Sequence, residues 1–278
     1  MYNREYYFRG GYMNIIDINK MTYRYNEDFI FYNLDLIINK NSWVTICGPN
    51  KSGKSTLIKI LSGLIKTDND IKIDSIVLND YNVEKIRKVI GVVFDNLDNG
   101  FICDTVREEL EVILHNFKLN NIKERIKEIS ELLNITSILD RDPHSLSGGE
   151  KNKALLACAL VHSPKILMLD DAFNMIDNNT RKELLQLLNS YKKNRGLTII
   201  NVTHDLSESF YSDRLIVIND GCIVLDGKPE VVMKHDTLLY KIGVDLPFIV
   251  DLSNKLISYE LINKIYFDME EMVNDIWK

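Results

Sequence analysis

Two hydrophobic periods divide this chain. From Asn14 the apolar positions follow a strand-like pattern: Ile15, Ile16 and Ile18, then Met21, Tyr23 and Tyr25, then an alternating run over 31–38. Trp43, Val44, Thr45, Ile46 and Cys47 form a short apolar run that reads as a buried strand, and a strand pair is expected around 73–78 and 89–94. Over 104–162 the period changes. Val106, Leu110, Ile113, Leu114 and Phe117, and then Ile122, Ile126, Ile129, Leu132 and Leu133, recur at helical spacing with charged residues on the other faces. Beyond this, strand and helix alternate: a buried strand at 166–169, a helix at 180–191, a strand at 197–202, a short helix at 206–210, and a hairpin of 215–218 with 222–225 around Asp220-Gly221. Such alternation predicts an α/β fold with a parallel sheet and crossover helices. Residues 246–278 return to helical periodicity and are acidic near the end. Residues 1–12 are polar and aromatic, with Gly10-Gly11 ahead of a second methionine, Met13, and are expected to be a disordered leader.

The strand at 43–47 runs into Gly48-Pro49-Asn50-Lys51-Ser52-Gly53-Lys54-Ser55-Thr56 and then into the helical positions Leu57, Ile58, Ile60, Leu61 and Leu64. This fits G-x-x-x-x-G-K-[ST] with strand and helix on the sides the motif requires. The free N–H groups and dipole of a helix start favour an anion. Lys54 can reach the β/γ-phosphates and the Ser55 hydroxyl can ligate Mg²⁺. A glycine-rich turn alone leaves the Lys-Ser pair unexplained.

Composition narrows the setting. Of 278 residues, 45% are hydrophobic and 27% charged, an ordinary globular profile. The formal net charge of −6 argues against a nucleic-acid surface. No apolar run approaches the roughly 20 residues of a membrane-spanning helix. Cys47, Cys103, Cys158 and Cys222 lack metal or disulfide spacing and read as reduced thiols.

Two further segments carry chemistry. Ile166-Leu167-Met168-Leu169-Asp170-Asp171 is an apolar strand ending in two carboxylates, which places Asp170 at the carboxyl edge of a parallel sheet beside the phosphate loop, where it can hold Mg²⁺. Leu146-Ser147-Gly148-Gly149-Glu150 opens a helix. Ser147 with Glu150 three positions on reads as a capping box, and the Ser-Gly-Gly turn as a second anion-binding device.

In this order (Tyr25, the phosphate loop, a loop near Asp95, the LSGGE run at 146–150, the Asp170 strand, Asp177, and Thr203-His204-Asp205) the motifs resemble the nucleotide-binding subunit of an ATP-binding-cassette (ABC) transporter, over roughly residues 14–235. Gly243-Val244-Asp245-Leu246-Pro247-Phe248 and the following helix, with the Phe94–Asn99 stretch, resemble the energy-coupling factor (ECF) group, importers of vitamins or transition-metal ions. The resemblance implies a P-loop cassette at 13–235 with a parallel core sheet, an antiparallel β subdomain and an inserted helical subdomain at about 98–162. A short C-terminal helical region follows at 236–278. It implies ATP and Mg²⁺ as ligands and a head-to-tail dimer, in which each ATP lies between one chain's phosphate loop and the other's signature. The implied partners are a second ATPase subunit, with a heterodimer favoured over a homodimer, a transmembrane coupling protein and a substrate-binding membrane protein. The implied location is the cytoplasmic face of the cell membrane.

The resemblance also assigns roles. Tyr25 stacks on adenine; Asn50, Lys51, Ser52, Gly53, Lys54, Ser55 and Thr56 wrap the phosphates. Ser147, Gly148, Gly149 and Glu150 serve the partner's nucleotide. Ser55, Asp170 and Asp95 meet the metal, Asp171 polarises water, His204 contacts the γ-phosphate, and Asp177 lies near the partner's site. Three positions depart from the family's usual residues: Lys51 stands in place of Gly, Asp95 of Gln and Asp171 of Glu. Asp95, counted with Asp171 and His204 among the catalytic residues, cannot donate a hydrogen bond when ionised, and Asp171 falls short of Glu by one C–C bond, roughly 1.5 Å, so slow hydrolysis at this chain's own site is expected. The alternatives are a mainly ATP-binding partner in a heterodimer, or a non-transport ABC ATPase. The single cassette and acidic balance disfavour the last.

Overall fold

The computed structural model describes residues 13–25, 28–95, 100–174 and 176–277; the leader at 1–12 and most of the 94–99 stretch fall outside them. Two sheets organise the chain. Strands β1 (Asn14–Tyr25) and β2 (Asp28–Asn39) pair antiparallel, and β4 (Ile71–Ile73) and β5 (Ile76–Val77) extend them in the order β2-β1-β4-β5. The second sheet is built from β3 (Trp43–Cys47), β6 (Ile90–Val93), β7 (Ile166–Asp170), β8 (Thr198–Val202), β9 (Arg214–Asn219) and β10 (Cys222–Gly227), in the order β10-β9-β3-β8-β7-β6. Five of its strands run parallel, and β10 closes one edge antiparallel to β9.

The helices are α1 (Lys54–Leu61), α2 (Val83–Arg87), α3 (Val106–Asn116), α4 (Ile122–Leu132), α5 (Gly148–Leu160), α6 (Asn178–Arg195), α7 (Pro229–Val232), α8 (Asp236–Lys241), α9 (Phe248–Ser258) and α10 (Met269–Ile276). None of the described helices is long and apolar enough to cross a membrane.

Strand periodicity sorts the core into layers. On β7, Ile166 and Met168 pack into a cluster with Val44 and Ile46 of β3, Leu57, Ile58 and Leu61 of α1, and Ile16 and Phe31 of the antiparallel sheet. Leu167 and Leu169 point the other way, into a cluster with α3, α4, α5 and α6. A third cluster joins Cys47, Leu206, Leu215, Val217 and Leu225 to Val232, Met233, Leu239, Val244, Leu246, Val250 and Ile265 of the C-terminal region, and Phe210 stacks on Phe267 at 4.4 Å.

The strand pair expected at 73–78 and 89–94 is rearranged. Asp74 and Ser75 both have positive φ, 47° and 69°, so a tight turn folds Ile76–Val77 back on Ile71–Ile73. Lys40 and Lys165 pin Asp74 at 2.9 and 2.5 Å. The second member of the expected pair, β6, joins β7 in the other sheet instead. Two helices differ in form or length from the pattern. Residues 206–211 form a 3₁₀ turn capped by Asp205. The helix expected at 180–191 runs from Asn178 to Arg195, because polar helix formers extend it past its apolar positions until Gly196 stops it at φ 66°.

Candidate nucleotide-binding site

Register brings the first two site residues together. Asp170 continues the phase of Ile166 and Met168, so its carboxylate emerges on the α1 side of the sheet. There the Ser55 hydroxyl donates to Asp170 Oδ1 at 2.9 Å. Asp170 is 3% exposed, and burial pushes its carboxyl up to about 6, with the Ser55 bond opposing and the charges of Asp171 and Asp95 adding. Asp95, exposed just past β6, is thus an electrostatic neighbour of this pair.

The loop itself is held from within. Lys54 is buried and donates through Nζ to Gly48 O at 2.8 Å, Pro49 O at 2.9 Å and Ser52 Oγ at 3.4 Å. Burial lowers its pKa, which the charges of Asp171 and Asp170 partly counter. Gly48 (φ 154°) has no room for a side chain, since a Cβ there would lie 2.0 Å from Ile218 O. Gly53 takes the left-handed N-cap of α1. Asn50 and Lys51 are exposed, Ser52 is buried and Thr56 half-buried. Lys51 has φ 65°, a conformation that favours glycine.

Asp171 leaves the strand at φ 49°, its N–H donating to Val202 O at 2.8 Å. Its Oδ1 lies 2.9 Å from His204 Nδ1 and accepts the His204 N–H at 3.3 Å. The sequence-predicted carboxylate and histidine are therefore brought into direct contact. Asp177 caps α6, accepting from Asn179 and Thr180 N–H, each at 3.0 Å. Tyr25, at the end of β1, is 64% exposed.

The signature lies apart. Ser147 caps α5, and the capping box is complete, with Ser147 N–H donating to Glu150 Oε2 at 2.9 Å. These bonds, with Arg141 Nη1 at 3.0 Å, hold the Glu150 carboxyl below its ordinary range. Among the described residues, no hydrogen bond or ion pair joins 147–150 to the phosphate loop. The link from α5 to the site is indirect: Asn152 Nδ2 donates to Ala172 O, next to Asp171.

One functional neighbourhood was missed in the sequence. Asn201, buried on β8, donates to the buried Glu208 at 2.8 Å, and Arg181 pairs with Asp205 beside them, all next to His204. An Asn inside the apolar run Ile199-Ile200-Asn201-Val202 was the available signal, since a buried amide requires a partner. Burial pushes the Glu208 carboxyl up to about 7. A carboxyl raised on folding binds its proton more tightly in the native state. Stability is therefore highest below the unfolded value and falls as pH rises through about 7. Chemical denaturation of the wild type should lose on the order of 3 kcal/mol through this group between about pH 4.5 and 7, and Glu208→Gln should flatten that slope.

Among the described residues, no three His, Cys, Asp or Glu side chains form a ready-made metal cage. One hydroxyl beside one carboxylate nevertheless suits Mg²⁺, which keeps water and phosphate ligands and takes few from protein.

These parts are those of a cassette ATPase. The family model described as ABC transporter matches residues 31–174. The energy-coupling factor transporter ATP-binding protein EcfA1 of Geobacillus kaustophilus is 33% identical over 269 residues, spanning 95% of this chain and 96% of that protein. EcfA1 of Ligilactobacillus salivarius is 37% identical over 269 residues, spanning 94% and 95%. Among solved structures, cbiO1 of Clostridium perfringens, part of the ABC transporter complex cbiONQ, superposes with a TM-score of 0.75 at 28% identity, covering 86% of this chain and 98% of that one. The cassette MJ0796, as a dimer bound to ADP and Pi, gives 0.69 at 28% identity, covering 77% and 98%. The chain belongs to the ABC transporter family and, within it, to the ATP-binding subunits of energy-coupling factor transporters. It is an ATPase by that membership.

Proposed function

We propose that this chain powers an ECF-type importer of a vitamin or transition-metal ion, peripheral at the cytoplasmic face of the membrane. Residues 13–235 serve as the ATPase domain, with the helical subdomain at about 98–162, and 236–278 as the C-terminal region. Its partners are a second ATPase subunit, a transmembrane coupling protein and a substrate-binding membrane protein. The observation that carries this reading is the Ser55–Asp170 contact on one element set with a fully formed Ser147–Glu150 cap on another. Among the described residues no hydrogen bond or ion pair joins the two half-sites, which supports completion of each by a second chain.

Within the site, Tyr25 offers its exposed ring to the base, and Asn50 to Thr56 surround the phosphates. Ser55, Asp170 and Asp95 would hold Mg²⁺, which would neutralise charge on the β- and γ-oxygens. Asp171 receives the proton of the attacking water, and His204 orients that water and the terminal phosphate. Ser147, Gly148, Gly149 and Glu150 face the partner's nucleotide, with Asp177 nearby.

Hydrolysis at this chain's own loop is slow, which favours a heterodimer whose other site does most of the work. Asp171 is short, and its Oδ1 is already engaged by His204, accepting the backbone N–H and lying 2.9 Å from Nδ1. Co-purification from membranes should bring down the membrane partners. In the purified heterodimer, Asp171→Asn should leave most steady-state turnover, while the equivalent change in the partner should remove it. The reverse pattern would sink the slow-site reading, and a soluble homodimer without membrane partners would sink the transport reading.

A further inference from the structure

Lys51 adopts a left-handed backbone conformation, and among the described residues its side chain has no hydrogen-bond or ion-pair partner. Ser52 N–H donates to Pro49 O at 3.2 Å, closing a four-residue turn in which Lys51 is the third residue. Its φ of 65° is the positive value that a type II turn requires there, and Gly or Asn is the usual occupant. The side chain is exposed and makes no hydrogen bond or ion pair with any described residue.

The other lysine of the loop is differently placed. Lys54 is buried, and its ammonium is committed to Gly48 O, Pro49 O and Ser52 Oγ. Across the strand ends lie Asp170, Asp171 and Asp95, and the charges of the last two act on Asp170. The loop thus faces a local excess of negative charge, with one cation fixed inside and one free on its rim. Backbone strain persists where the surroundings or the function require it.

We infer that Lys51 is a specificity-determining residue that favours a nucleoside triphosphate over the diphosphate by adding a second cation to the phosphate loop. The inference rests on the nucleotide-binding reading above. A lysine ammonium is a compact charge on a flexible four-carbon stem, so a rim position can follow the end of the phosphate chain, where the third phosphate adds charge. A merely tolerated lysine and a nucleotide-reading one differ in sign. Removing the first improves the protein at no cost, whereas removing the second makes the free chain more stable and the ATP complex weaker.

Calorimetric titration of the full chain with ATP and with ADP, each with Mg²⁺, tests this. Lys51→Gly and Lys51→Asn should weaken ATP binding roughly fivefold and ADP binding about twofold or less. Lys51→Arg should keep the ATP preference, and Lys51→Gly should raise the thermal midpoint of the nucleotide-free chain. If Lys51→Gly binds both nucleotides as the wild type does, the inference is overturned while nucleotide binding stands. If the wild type takes up neither nucleotide and so matches Lys54→Ala, the underlying reading is overturned and the inference with it.

Discussion

Asp171→Glu should raise ATP turnover at this chain's own phosphate loop about 100-fold, since misplacing a catalytic group by on the order of 1 Å costs that much. The backbone at 171 is fixed by the Asp171 N–H···O Val202 bond of 2.8 Å and by its left-handed φ of 49°. The shorter side chain therefore cannot make up its reach by moving the main chain. One added methylene extends the reach of the carboxylate by about 1.5 Å. The measurement is phosphate release by a heterodimer whose partner carboxylate has been neutralised, so that only this site turns over. An unchanged rate would show that Asp171 is not what limits the site.

The second large effect falls on stability. Gly91, in the middle of β6, lies directly under α5: a Cβ there would sit 2.0 Å from Ala159 O and 2.9 Å from Ala159 C. These are backbone atoms, so no rotamer change relieves the clash, and the signature helix as a whole must move. Gly91→Ala should therefore cost about 3 kcal/mol or more by denaturant unfolding. It should also lower ATPase activity of the dimer under conditions where the variant is still folded, because α5 carries Ser147 and Glu150. A stable variant with normal turnover would show that α5 and β6 are less tightly coupled than the close approach requires.

The candidate site residues were easier to read than the residues that hold them. The phosphate loop, the Asp170 strand and the Ser147–Glu150 cap are local: each is a short run whose spacing alone dictates a strand edge, a turn or a helix start. The meeting of Ser55 with Asp170, 115 positions apart, followed from strand phase once a parallel sheet was expected. The Asp171–His204 bond did not follow, because it depends on how two loops leave adjacent strands. The Asn201–Glu208 pair was hidden for another reason. A single polar residue in an apolar strand does not name its partner, and Glu208 lies in a 3₁₀ turn without helical periodicity. At Asp74-Ser75, two positive-φ residues without glycine concealed a hairpin within what reads as one strand.

The third apolar cluster ties the tail to the nucleotide loop. Cys47, the residue immediately before Gly48, is packed in the same core as Leu239, Val244, Leu246 and Val250. In evolutionary terms the tail is then not a detachable module. A segment transplanted from a relative would have to match Cys47, Leu215 and Val217 side chain for side chain, or leave a cavity beneath the phosphate loop. Substitutions in the tail and in β3 and β9 are accordingly constrained together, and changes selected in the tail will be felt beside the phosphate loop.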